Sequence, residues 1–98
     1  MRIKYLDEVL RRLAEEPGFA PKTWDSDVIR SYRKKIQLIR AAKDERDLYA
    51  LRGLRLERLK GKRDGQSSIR LNDQLRLIVT FATDVDRVVV ILEIVDYH

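Results

Sequence analysis

At Gly53 the apolar residues of this chain change their period. Before it they recur every three or four positions; after it they recur every second position. Helices bury one stripe and strands bury alternate residues, so the switch separates a helical first half from a β second half. Tyr5, Leu6, Val9, Leu10 and Leu13 make a first helical stripe, with Asp7, Glu8, Arg11, Arg12, Glu15 and Glu16 between them. Pro17-Gly18 ends that helix, because proline disfavours helical geometry in the residue before it and glycine permits a turn. Thr23 or Asp25 is placed to cap a second helix with the stripe Val28, Ile29, Tyr32, Ile36 and Ile39. Arg30, Arg33, Lys34, Lys35 and Arg40 occupy its other face. A short third helix is predicted over 44–51, with Leu48 and Leu51 on one side, and residues 2–5 read as a short edge strand.

Beyond Gly53, alternation predicts strands at 54–58, 67–71 and 75–81, with a Lys-, Gly- and Asp-rich loop over 60–65. Residues 88–95 are almost continuously apolar, as in a central strand buried on both faces. Helices followed by strands define an α+β fold: two to three N-terminal helices packed on one face of a mainly antiparallel sheet of four to five strands. At 98 residues, one domain spanning 1–98 accounts for the chain.

One hairpin register follows from parity. Ile69 and Leu71 must share a face with Leu75 and Leu77, and a three-residue loop, 72–74, achieves this by pairing Leu71 with Leu75. Arg70 then lies opposite Arg76 on the other face. Like charges paired across strands are destabilising. Either an anion bridges them or both side chains snorkel apart into solvent.

Charge sharpens this point. Residues 52–76 hold eight cations against three carboxylates, an excess equal to the net +5 of the whole chain. A fixed positive field threaded through strands suits a polyanion such as RNA or DNA. The chain has no cysteine, which excludes disulfides, a thiolate nucleophile and zinc–thiolate sites. No P-loop or Rossmann glycine pattern occurs, no spaced His/Asp/Glu set suggests a metal, and no cofactor is expected. Charges throughout the first sixteen residues and the lack of any long apolar run predict a soluble, cytoplasmic protein with no membrane segment.

Metal-free RNA cleavage needs groups that this chain has. A 2′-OH must lose a proton and attack phosphorus, the transition state gains negative charge, and the leaving 5′-oxygen needs a proton. Guanidinium groups stabilise that charge and histidine exchanges protons near neutral pH. Arg70, Arg76, Lys60 and His98 are the candidates, whereas Lys62 and Arg63 read as a solvated turn. Trp24 and Tyr32, within the helical region, read as core or helix-docking residues.

RLERLKG (55–61), SIRLNDQLRL (68–77) and the final Asp96-Tyr97-His98 together resemble the HigB branch of the RelE/ParE toxin superfamily, over about half the chain. The resemblance implies the RelE-like fold and an mRNA endonuclease that cuts codons in the ribosomal A site. It also implies a HigA-like helix-turn-helix antitoxin partner, and through it an indirect link to operator DNA. Arg76 matches the strand arginine that would bind the scissile phosphate. Tyr97 and His98 match the terminal pair, for base stacking and proton transfer, with Asp96 orienting them. Lys60, Arg58 and Arg70 would contribute to phosphate binding. The sequence departs from the family at Glu57, where histidine is frequent, and at Gln66, Ser67 and Leu75, where aromatics are frequent; these bear on cleavage rate and codon preference. Two alternatives share these features: a ParE-like gyrase inhibitor of the same fold, and a non-catalytic RNA-binding regulatory domain.

Overall fold

In the computed structural model, which describes residues 1–96, the chain runs from a short strand through three helices into four further strands. Strand β1 (Arg2–Tyr5) leads into α1 (Glu8–Glu15), α2 (Ser26–Ala41) and α3 (Glu45–Ala50). Strands β2 (Glu57–Arg58), β3 (Ser67–Arg70), β4 (Leu75–Thr83) and β5 (Arg87–Asp96) follow. The sheet order is β1-β5-β4-β3-β2. β1 lies parallel to β5 at one edge, and all other pairs are antiparallel.

The α2 stripe is buried residue for residue as its spacing predicts: Val28, Ile29, Tyr32, Ile36 and Ile39. They meet Ile69, Leu71, Leu77, Val79, Val89 and Ile91 from the sheet and Leu10 and Leu13 from α1. Trp24 packs against this core and Tyr32 lies inside it, its hydroxyl donating to the Leu10 carbonyl at 2.8 Å. Burial holds that phenol protonated, well above the ordinary tyrosine range. Asp7 caps α1 by accepting from the Leu10 amide at 3.0 Å.

Two local readings differ from the structure, and one side chain makes contacts that its helix face does not disclose. α1 has eight residues and buries only Leu10 and Leu13, so Leu6 and Val9 remain exposed, as does Leu51 after α3. The segment expected as a strand at 54–58 begins instead with a 3₁₀ turn (Arg52–Leu54), and Arg55 adopts a left-handed conformation (φ 48°) that shortens β2 to two residues. Arg33, on the face of α2 away from the apolar stripe, reaches back across the helical layer. Its guanidinium donates to the carbonyls of Leu13, Glu16, Pro17 and Phe19 at 2.9–3.3 Å, apart from 2.8 Å to Phe19, and so ties α2 to the end of α1.

β5 is an interior strand, paired on both sides and next to the edge strand β1, but only Val88, Val89 and Ile91 are fully buried in it. The reason is that helices cover one face alone. The other face carries no helix; Ser68, Ile78 and Val88 are still buried on it, and the more exposed side chains that strand parity puts there form the candidate site.

Candidate functional site

Strand register sets out the open face as two adjoining rows. Arg70, Arg76 and Val95 stand side by side across β3, β4 and β5. Two residues along each strand, Glu57, Ser68, Ile78 and Glu93 make the next row across β2 to β5. Between these rows, on the helical face, lie Ile69, Leu77 and Ile94. The hairpin register is the one that parity requires: Ile69 opposite Leu77 and Arg70 opposite Arg76.

The loop of this hairpin resolves the charge conflict. The Leu71 amide donates to the Leu75 carbonyl at 3.0 Å, and the Asn72 side chain accepts from the Gln74 and Leu75 amides at 2.8 and 2.6 Å. That turn presents the Asn72 carbonyl to both arginines. Arg70 donates to it from Nε at 3.3 Å, and Arg76 from Nη1 at 2.6 Å. Arg76 also donates to the Leu75 carbonyl at 3.1 Å, and Arg70 ion-pairs with Asp73. Backbone dipoles and one carboxylate thus hold two like charges together at the end of the sheet. The guanidiniums neither need an anion to stay in place nor separate into bulk water.

Helix α2 supports the same end from below. The Ser31 hydroxyl donates to the Leu71 carbonyl at 2.7 Å, and Lys35 donates from Nζ to Ser31 Oγ at 3.1 Å. Burial, with the fields of Lys34 and Arg70, lowers the Lys35 amine from its usual range. Neither Ser31 nor Lys35 was singled out for the site by sequence, since a side chain approaching a hairpin forty positions away leaves no local signal.

Of the other expected site residues, Asp96 closes β5 opposite Leu75, one position beyond the Val95–Arg76 pair. Tyr97 and His98 lie outside the described residues. Arg58 pairs with Ser67, and Ser67 with Val79, so parity turns Arg58 toward the helical side of the sheet while Glu57 stands in the open-face row. Ser67 is three residues from Arg70, roughly 10 Å away at about 3.4 Å per residue. Lys60 lies beyond Arg58. Both line a cleft of about 1230 Å³ with Glu45, Tyr49, Phe81 and Arg87. Charge in this cleft is balanced: Arg87 is held by Glu45 at 2.7 Å, and Glu57 and Asp64 offset Arg58 and Lys60. The arginine row lies outside the cleft, and Glu57 stands at the border between them.

Arg63 does not behave as a solvated turn residue. Gly61 (φ 67°) and Gly65 (φ 87°) flank the 3₁₀ turn Gly61–Arg63, where positive φ suits glycine. They let the β2–β3 loop bend back, and Thr80 on β4 donates from its hydroxyl to the Gly65 carbonyl at 2.9 Å. Arg63 then reaches β5, donating from Nη1 to Glu93 at 3.2 Å and to Gln66 at 3.0 Å. The loop joining the edge strand β2 to β3 is therefore fastened across the sheet to β4 and β5.

Three helices packed on one face of a five-stranded sheet of order β1-β5-β4-β3-β2, with charged side chains on the other, make a protein of the RelE-like toxin fold. A YoeB/ParE toxin from Agrobacterium tumefaciens has the same fold, with a TM-score of 0.61 and 13% identity over 100% of each chain. A search among curated protein sequences gave no match. Residues 4–98 match the family described as HigB-like toxin, the RelE-like toxin of the HigB type II toxin–antitoxin system, and the chain belongs to that family. Membership implies an antitoxin partner. No helix among the described residues is long and apolar enough to cross a membrane.

Proposed function

We propose that the protein is a ribosome-dependent mRNA endonuclease that cuts in the A site without a metal ion and so arrests translation in the cytoplasm. The observation that carries this reading is the in-register pair Arg70–Arg76, held on the helix-free face by the hairpin's own carbonyls. Two guanidiniums fixed before substrate arrives need little reorganisation when negative charge develops on a phosphoryl group, which is where preorganised donors are most effective. Arg76 binds the scissile phosphate and Arg70 its neighbour or the same oxygens. His98 donates a proton to the leaving 5′-oxygen after the 2′-oxygen has attacked phosphorus, leaving a 2′,3′-cyclic phosphate and a 5′-hydroxyl. Tyr97 stacks on a base and Asp96 orients the terminal pair. Arg58 and Lys60, near the balanced cleft, contact RNA outside the reacting phosphate.

Glu57 stands where relatives frequently carry histidine, on the same open face as the arginines and one row away. As a carboxylate it is suited to accept the 2′-OH proton, with the arginine row offsetting its repulsion of phosphate. The partner is a HigA-like helix-turn-helix antitoxin, which also links the toxin to operator DNA.

Primer extension on an mRNA carried by programmed ribosomes, with and without EDTA, tests the reading. Cleavage that persists in EDTA and disappears in Arg76→Ala and His98→Ala is expected. If both variants remain fully toxic on expression, the site assignment is wrong. Inhibition of gyrase supercoiling, or RNA retention with no cut product, would replace the endonuclease reading.

A further inference from the structure

The Arg63–Glu93 contact joins residues thirty positions apart and spans the open face, yet the chemistry proposed above uses neither. Glu93 lies diagonal to Arg76 across β4 and β5, because Ile78 faces Glu93 and Arg76 faces Val95. Diagonal neighbours in an antiparallel pair are about 7–8 Å apart, within reach of long side chains. The ion pair therefore sits beside the arginine row. It is also accessible: the side chains of Arg63 and Glu93 are 40% and 51% exposed. A half-exposed pair is weak and exchanges readily, whereas an RNA phosphate offers a guanidinium a bidentate, doubly hydrogen-bonded partner.

We propose that Arg63 is a further phosphate-binding residue, parked on Glu93 in the free protein and transferred to an RNA backbone phosphate when substrate enters. This deepens the RNA-cleaving reading and rests on it. Three observations support the transfer. The loop that bears Arg63 is attached over the open face by the Thr80–Gly65 hydrogen bond, so the guanidinium stays near the face in either state. Gln66 accepts from the same Nη1 and belongs to the same loop, so it can accompany Arg63 away from Glu93. Glu93 opposes an incoming phosphate by its charge, and its pairing with Arg63 masks that charge until the exchange. Glu93 is then a positioning residue that sets the cost of entry.

Cleavage of an mRNA on programmed ribosomes, followed under single-turnover conditions at several KCl concentrations, tests this. Arg63→Ala is expected to raise the half-saturating toxin concentration about fivefold, with little change in the maximal rate, and to flatten the salt dependence by about one charge. Arg63→Lys should recover part of the loss. Glu93→Gln should lower the half-saturating concentration about threefold, and that gain should vanish in the Arg63→Ala background, since neighbouring residues that share an interaction are non-additive. If Arg63→Ala and Glu93→Gln shift binding in the same direction, the pair is only a structural pin and the proposal is overturned. An equal Glu93→Gln gain with and without Arg63 overturns it too, because that is plain repulsion. A wild-type protein that cuts nothing defeats the RNA reading itself, and this inference with it. Circular dichroism melts of each variant identify any that fail to fold, and the Arg63→Lys and Glu93→Gln pair keeps the test intact if Arg63→Ala is among them.

Discussion

Ile69 and Arg70 are neighbours in β3, yet they belong to different physical problems. Ile69 is fully buried among α2 and the inner sheet residues, where its contribution is area removed from water. Arg70 faces the helix-free side, where its guanidinium is restrained by the Asn72 carbonyl and Asp73. One face of the sheet is arranged to exclude water and the other to display charge at fixed positions. The contrast shows how a chain of 98 residues keeps like charges adjacent: the helical face supplies the stability, and hairpin carbonyls and Asp73 on the other face accommodate the charges.

Four substitutions probe that contrast. Ile69→Ala should have the largest effect on folding, about 2–5 kcal/mol by urea denaturation, and the division between faces breaks if it is mild. Arg76→Ala should reduce mRNA cleavage by about 10²–10³-fold while shifting the denaturation midpoint far less than Ile69→Ala does. A comparable loss of stability would mean that the arginine is chiefly a hairpin brace. Asp7→Ala removes the α1 cap on the helical side and should cost about 1 kcal/mol with cleavage unchanged. The smallest effect is expected at Lys35, which links the two sides through Ser31. Its amine is lowered in the folded protein, chiefly by burial, so the unfolded chain binds the extra proton between the folded value and the ordinary lysine range. Stability should therefore rise as pH climbs through that interval, with the penalty fully present below the folded value. Lys35→Met should flatten this rise in thermal melts; an unchanged profile would place the amine in bulk solvent.

The sequence disclosed what depends on period and parity. The α2 stripe and the β3–β4 register are local patterns, fixed by which residues must avoid water, and both appear in the structure as spacing requires. The α1 stripe was read too long because apolar spacing alone does not reveal that eight residues bury only two. β2 was read too long because alternation cannot show that Arg55 takes a left-handed turn. In the site, parity placed Arg70 opposite Arg76, but not the Asn72 carbonyl that receives both. Local composition makes Arg63 a solvated turn residue and helical spacing puts Arg33 away from the apolar stripe, but neither names a partner. Each long side chain instead crosses to partners distant in sequence, a choice made by tertiary geometry that no window of neighbouring residues contains.

The parallel pairing of β1 with β5 bears on how the molecule assembles. Among the described residues β5 is the strand that joins both β1 and β4, so their sheet is not completed until residues 87–96 have folded. Contacts between segments so far apart along the chain form late, after their loop-closure entropy has been met. Until then α1 and α2 carry an unsheltered apolar stripe, and Arg76 lacks its Val95 neighbour. A growing chain is thus both aggregation-prone and chemically incomplete. Assembly order itself delays the charged face until β5 has taken its place between β1 and β4.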